Sequence, residues 1–135
     1  MSKYLERAEE IRAIVEPHHN CAQSVLMALK GATGLDDKVA FDVAANFGAG
    51  MKSGSVCGAL TGALMAMGLC GRTDPSDVKA LINSFKEKHE GKIDCVDLLA
   101  INKREGTDKK AHCDGLVYEC VKLVEDILNN PSLLV

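Results

Sequence analysis

Four of the six cysteines stand where helix-start signals converge. Cys21 follows Pro17-His18-His19-Asn20, and Cys57 follows Gly54-Ser55-Val56. Cys95 follows Gly91-Lys92-Ile93-Asp94, and Cys113 opens the last long apolar-periodic segment. Each has a capping or breaking residue upstream and helical periodicity downstream. The first turn of a helix carries unpaired N–H groups and a partial positive charge, which stabilise a thiolate. Thiolates attack disulfides, ligate metals and accept oxidation. Helix starts that meet in the fold would therefore gather a site for sulfur chemistry.

The spacing leaves the kind of chemistry open. No two of the four form a C-x-x-C pair, which excludes a thioredoxin-like active site. Widely separated cysteines brought together by the fold suit disulfide formation between helix ends, with Cys57 as the attacking thiol and Cys21, Cys95 or Cys113 resolving it. The same four suit an iron–sulfur cluster or a tetrahedral zinc. A third reading makes them small buried side chains of a helical interaction protein. Gly54, Ser55 and Gly58 would give the backbone around Cys57 its freedom and leave N–H groups for an anionic sulfur. His18, His19 and His112 adjoin cysteines and could serve as ligand, base or positive neighbour, although a solvated histidine explains each one singly. His89 suits the C-terminal dipole of its helix. Cys70, near a helix C-terminus, and Cys120, on a mid-helix apolar face, read as core. So do Met65 and Met67. Lys52-Ser53 fails the spacing of a phosphate-binding loop.

The bulk properties narrow the setting. A chain of 135 residues makes one domain, residues 1–135, with room for a hydrophobic core. A net charge of −3 gives no electrostatic reason to expect nucleic acid, and 4% aromatics with no Trp gives no stacking platform. The charged, amphipathic start (Met1-Ser2-Lys3-Tyr4-Leu5-Glu6-Arg7) does not read as a signal peptide, and the longest apolar stretch, residues 56–70, is too short for membrane insertion. The expected address is cytoplasmic, where six cysteines do not mean a disulfide framework. No catalytic acid–base pair or substrate-pocket signature is visible. An enzyme here would be a thiol-based oxidoreductase acting on a redox partner or a small oxidant.

The elements that must position the cysteines all read as helical, giving an all-α bundle of about six to seven helices. A Ser2-capped helix runs to Glu16 and stops before Pro17. A second covers residues 20–30. A third follows Asp36, with Val39, Ala40, Val43, Ala44 and Phe47 at helical spacing. Residues 48–55 form a glycine loop. The next helix, residues 56–69, spaces Gly58, Gly62 and Ala66 four apart. Each interior Gly costs about 1 kcal/mol relative to Ala, so two in one helix imply close backbone approach. That reading makes this the central, most buried helix, or a homodimer contact. Asp74-Pro75 opens a helix that ends near Gly91. Asp94 caps a short element over residues 95–101, residues 102–110 read as a mobile polar segment, and a final helix spans 111–129 with Pro131 beyond it. The four cysteines are expected near one end of the central helix.

Val56-Cys57-Gly58-Ala59-Leu60-Thr61-Gly62-Ala63-Leu64-Met65 resembles the signature of the C_GCAxxG_C_C family, small bacterial and archaeal proteins marked by four cysteines, to which redox activity is attributed. Asn20-Cys21-Ala22-Gln23-Ser24-Val25 resembles its N-C-A-x-x-V block, and Phe47-Gly48-Ala49-Gly50-Met51 resembles its F-G-x-G-M loop. Cys95 and Cys113 take the third and fourth cysteine places. The match spans residues 20–128 and implies redox-active Cys21, Cys57, Cys95 and Cys113. Some family-like segments occur beside haem modules, but with no C-x-x-C-H here covalent c-type haem is not expected.

Overall fold

The computed structural model describes residues 2–130. Eight α-helices lie among them, with no strand: α1 Lys3–Ala13, α2 Cys21–Ala28, α3 Lys30–Thr33, α4 Asp37–Val43, α5 Gly58–Leu69, α6 Pro75–Lys88, α7 Cys95–Glu105 and α8 Lys109–Leu128. The all-α expectation holds, with one or two more helices than the sequence pattern suggested. The stop expected at Pro131 lies outside the described residues.

The capping residues act largely as their chemistry requires. Ser2 accepts from the Leu5 N–H, and Asp36 accepts from Lys38 and Val39. Asn20 and Gln23 form a reciprocal capping box at the start of α2, satisfying two otherwise unpaired donors. Asp74 accepts from Ser76 with Pro75 as the first helical residue. Asp94 precedes α7 without a side-chain cap. Its segment is held instead by a lone antiparallel bridge between Val56 and Asp94, flanked by Cys57 N–H to Ile93 O at 2.8 Å and Cys95 N–H to Ser55 O at 2.6 Å.

Several boundaries differ from the sequence expectation. Helix α1 stops at Ala13 rather than Glu16: Ile14, three residues ahead of Pro17, is already extended, with its N–H donating back to Ile11 O. The second helix breaks at Leu29 into α2 and α3, and α3 closes on left-handed Gly34. Val39 and Val43 face outward at 50% and 52% exposure, and α4 buries Ala40 instead. The polar segment 102–110 is mostly helix. Asn102, one turn beyond Leu98, is buried, Gly106 ends α7 in the left-handed region, and Asp108 caps α8 by accepting from Ala111. Lys103 and Arg104 fall in the last turn of α7, where cations suit the dipole.

The centre is shared. Seven of the eight residues of α2 are buried against seven of the twelve in α5, so α2 is the more enclosed helix. The glycine stripe of α5 faces it. A Cβ at Gly62 would stand 2.7 Å from the Ala22 carbonyl oxygen, and one at Gly58 would stand 2.7 Å from the Phe47 oxygen. Ala66 continues the stripe, fully buried. Around this contact Leu26, Leu29, Leu60, Leu81, Phe85, Val117, Val121 and Val124 form the core.

Candidate functional site

Four helices deliver their cysteines to one cavity. Cys21 is the first residue of α2, Cys57 is the residue before α5, Cys95 is the first residue of α7, and Cys113 lies in the second turn of α8. Cys113 therefore does not open its helix as the sequence pattern suggested, because Asp108 sets the start one turn earlier. All four line a cavity of about 670 Å³ at the N-terminal end of α5. All are free thiols. Cys70 ends α5, roughly 18 Å of helix away at 1.5 Å per residue, where its thiol approaches the Ala32 carbonyl oxygen at 3.6 Å. Cys120 is fully enclosed in the core. Neither belongs to the cavity wall.

Two of the four thiols act as a pair. The neighbouring Cys21 thiol is the largest of the influences that draw the Cys113 pKa down to about 7 from 9.0. Burial opposes that shift, and the nearby charges of Arg12 and Lys109 assist it. The same contact, with burial and the charge of Cys113, pushes Cys21 up. The pair therefore favours a single negative charge, with Cys113 the more acidic sulfur and Cys21 the less acidic one.

Cys57 behaves differently. It stands just before α5 without a side-chain cap hydrogen bond, and although the Ala59 and Leu60 N–H groups nearby favour its thiolate, burial outweighs them and lifts it to about 11. Those donors belong to the first turn of α5, not to the glycine loop. Gly58 does line the cavity, but Gly54 and Ser55 are not among its lining residues. The Ser55 N–H donates to Gly50 O and the Ser55 carbonyl accepts from Cys95, so this pair positions Cys95. Cys95 is raised, again by burial first.

The cationic side of the cavity escaped the sequence reading. Arg12, at the end of α1, is 9% exposed. Its guanidinium donates to Asp114 Oδ1 at 2.7 Å, His19 O at 2.8 Å and Ser24 Oγ at 3.2 Å. Asp114 also accepts from Lys110 at 2.9 Å. Burial alone would raise the Asp114 pKa, and the hydrogen bonds from Lys110 and Arg12 reverse that, leaving it below the ordinary carboxyl range. The available signal was Arg12 itself, a charge four residues beyond Ala8 on an otherwise apolar stripe.

His18, His19 and His112 all line the cavity. His19 bonds Pro17 O through Nδ1 at 2.9 Å and meets Phe41 edge-on, with ring centroids 5.1 Å apart. His112 is shifted down by burial and by His89, and its buried Nε2 has no hydrogen-bond partner. His89 stands at the end of α6 as expected, packed on Phe85 and paired with Glu119 at 2.9 Å. Among the described residues, no three His, Cys, Asp or Glu side chains stand close enough together to hold one metal ion. No helix among them is long and apolar enough to cross a membrane.

A family model described as "Putative redox-active protein (C_GCAxxG_C_C)" matches residues 19–127. The chain belongs to that family. No curated protein and no solved structure matches it.

Proposed function

We propose that this member of the C_GCAxxG_C_C family performs two-electron thiol–disulfide exchange, with Cys113 as the attacking thiolate and Cys21 as the resolving thiol. The observation that carries the reading is that Cys21 and Cys113 share the wall of one cavity, near enough that each is the largest influence on the other's acidity, lowering Cys113 and raising Cys21. Cys57, the attacking thiol preferred on sequence grounds, is 3% exposed and shifted the other way.

The electron count closes in two steps. The Cys113 thiolate attacks one sulfur of a substrate disulfide, forming a mixed disulfide and expelling the other sulfur as a thiolate that takes a proton from solvent. Cys21 then loses its proton and attacks the Cys113 sulfur. This forms Cys21–Cys113 and releases the second substrate thiolate. Two electrons have passed to the substrate, and a thiol reductant restores the pair. The proximity of the two sulfurs supplies the timing. Cys21 is held protonated first by its contact with Cys113, then by burial, then by the Cys113 charge. A neutral mixed disulfide removes the first and third of these, leaving burial and the neighbouring Cys57 against the lowering effect of Arg12. Cys21 becomes more acidic at the step that needs it.

Alkylation at controlled pH followed by peptide mapping tests this. Cys113 should label first, with a midpoint near pH 7, and mild oxidation should produce a Cys21–Cys113 peptide pair. Labelling of Cys113 no faster than Cys95, with no such pair, would refute the assignment. The second reading, a metal or iron–sulfur centre, rests on four thiols sharing one cavity, and would require them to close on an ion. Iron, sulfide and zinc analysis of protein purified without oxygen tests it independently.

A further inference from the structure

Resting on the assignment of Cys113 as attacking thiolate, we propose that the cavity selects a small disulfide with an apolar body and an acidic group, bound with its acid toward Lys109. A space of about 670 Å³ falls within the range of small-molecule sites, which run from roughly 300 to 1,000 Å³. It is a concavity with the thiols in its wall, so the substrate sulfur must enter it. Its apolar surface comes from Ile14, Val15, Leu98, Leu99 and Leu116. Ile14 and Val15 are 42% and 85% exposed, an apolar edge that a polar substrate would not cover.

The polar groups are biased to one sign. Arg12, Lys109 and Lys110 line the cavity together with three histidines, and no Asp or Glu does. Arg12 and Lys110 are both occupied with Asp114. Lys109 is exposed and forms no ion pair among the described residues, and its charge acts on both Cys113 and Cys95. The chain as a whole carries −3, so its bulk field disfavours anions. Any preference for an acid must arise locally.

The exchange itself follows the balance already given, with the two halves of the small disulfide leaving as thiols. The test measures the rate of Cys113 with dithiobis(nitrobenzoate), a dianionic aromatic disulfide, and with dithiodipyridine, its neutral counterpart. Their leaving groups differ, so the readout is how the rate ratio changes between proteins. Lys109→Gln should lower the anion-to-neutral ratio about threefold, the scale of one exposed charge, and added salt should lower the wild-type ratio toward the same value. Lys122→Gln, an equal charge loss on the same helix and remote from the cavity, should leave it unchanged. A naphthoate should slow Cys113 alkylation where the matching naphthalene alcohol does not. If Cys113 reacts with both reagents and Lys109→Gln leaves the ratio unmoved, the substrate class is wrong and the exchange reading stands. If Cys113 reacts with neither, both fall.

Discussion

Cys57 and Cys113 open into the same cavity and differ in every respect that sets thiol reactivity. Cys57 has the better helical address, immediately before α5 and beside the N–H groups of its first turn, yet its pKa rises to about 11. Cys113 sits a full turn inside α8 and falls to about 7. The partial charge of a helix terminus is a modest term, whereas burial of an ion in apolar surroundings is a large one. A partly exposed sulfur with a second thiol and two cations nearby gains more than a buried sulfur at a helix start. Acidity here follows the neighbours rather than the position on the helix.

The comparison breaks most directly by measuring the two thiols together. At pH 7 about half of Cys113 and about one ten-thousandth of Cys57 would be thiolate, from the values of about 7 and 11. The less acidic thiolate is the stronger nucleophile, which returns about sixtyfold across that difference. Cys113 should therefore alkylate about a hundredfold faster than Cys57 at pH 7, and Cys113→Ser should abolish the fast phase. Equal rates would remove the distinction. The rate should climb as pH rises through 7 and level off above it, because a thiol whose pKa is lowered becomes reactive as its proton leaves.

Removing the neighbouring thiol comes next. Cys21→Ala deletes the first-ranked cause of the Cys113 shift, so the labelling midpoint should move from about 7 toward the ordinary 9.0. The Cys57 profile, set first by burial, should move far less, since Cys113 is ionised near pH 11 with or without Cys21. The same logic gives a stability test. A depressed acid pKa contributes stability above the unfolded value that is lost as pH falls through the folded value. Wild type should therefore gain on Cys113→Ser in denaturant titrations as pH rises from about 7 to 9, the window set by its folded and ordinary values. A pH-independent difference would show that Cys113 does not ionise early.

Arg12→Gln divides the two thiols by a smaller margin. The Arg12 charge draws Cys113 down less than the neighbouring Cys21 does, while Cys57 is governed by burial and the first turn of α5. The Cys113 midpoint should rise, by less than in Cys21→Ala. Losing a largely buried ion pair with Asp114 should also cost about 3 kcal/mol of stability, measurable as a lower denaturant midpoint.

Much of this was legible from local chemistry. Pro17, Asn20, Asp36 and Asp74-Pro75 marked helix ends because capping acts within a few residues. The glycine spacing in α5 marked close approach because only a missing Cβ permits it. The pairing of Cys21 with Cys113 was not legible, since 92 residues separate them and only the packing of α1, α2 and α8 joins them. Arg12 was overlooked for the same reason, as its three partners lie on the chain before α2, in α2 and in α8. Residues 102–110 misled because their charge resembles a loop while Gly106 and Asp108 punctuate two helices.

The glycines give the smallest effect on the thiols and test what holds the cavity open. Gly62 and Gly115 are both interior helical glycines, and their surroundings differ completely. A Cβ at Gly62 would meet Ala22 O at 2.7 Å and Ala22 Cα at 3.1 Å, both backbone atoms that cannot swing away, whereas one at Gly115 meets nothing within 4 Å. Gly115→Ala should therefore stabilise the protein by up to about 1 kcal/mol through helix propensity alone. Gly62→Ala gains the same propensity and must then force α2 from α5, an overpacking cost of about 1–3 kcal/mol, so its net change should be neutral to destabilising. Because Ala22 adjoins Cys21, the displacement should also loosen the Cys21–Cys113 contact and raise the Cys113 labelling midpoint slightly. Gly115→Ala lies closer to Cys113 in sequence, yet it should leave that midpoint where it is, since nothing around it has to move. If instead both alanines stabilise equally and neither shifts Cys113, the close approach of α2 and α5 is not what sets the thiol pair.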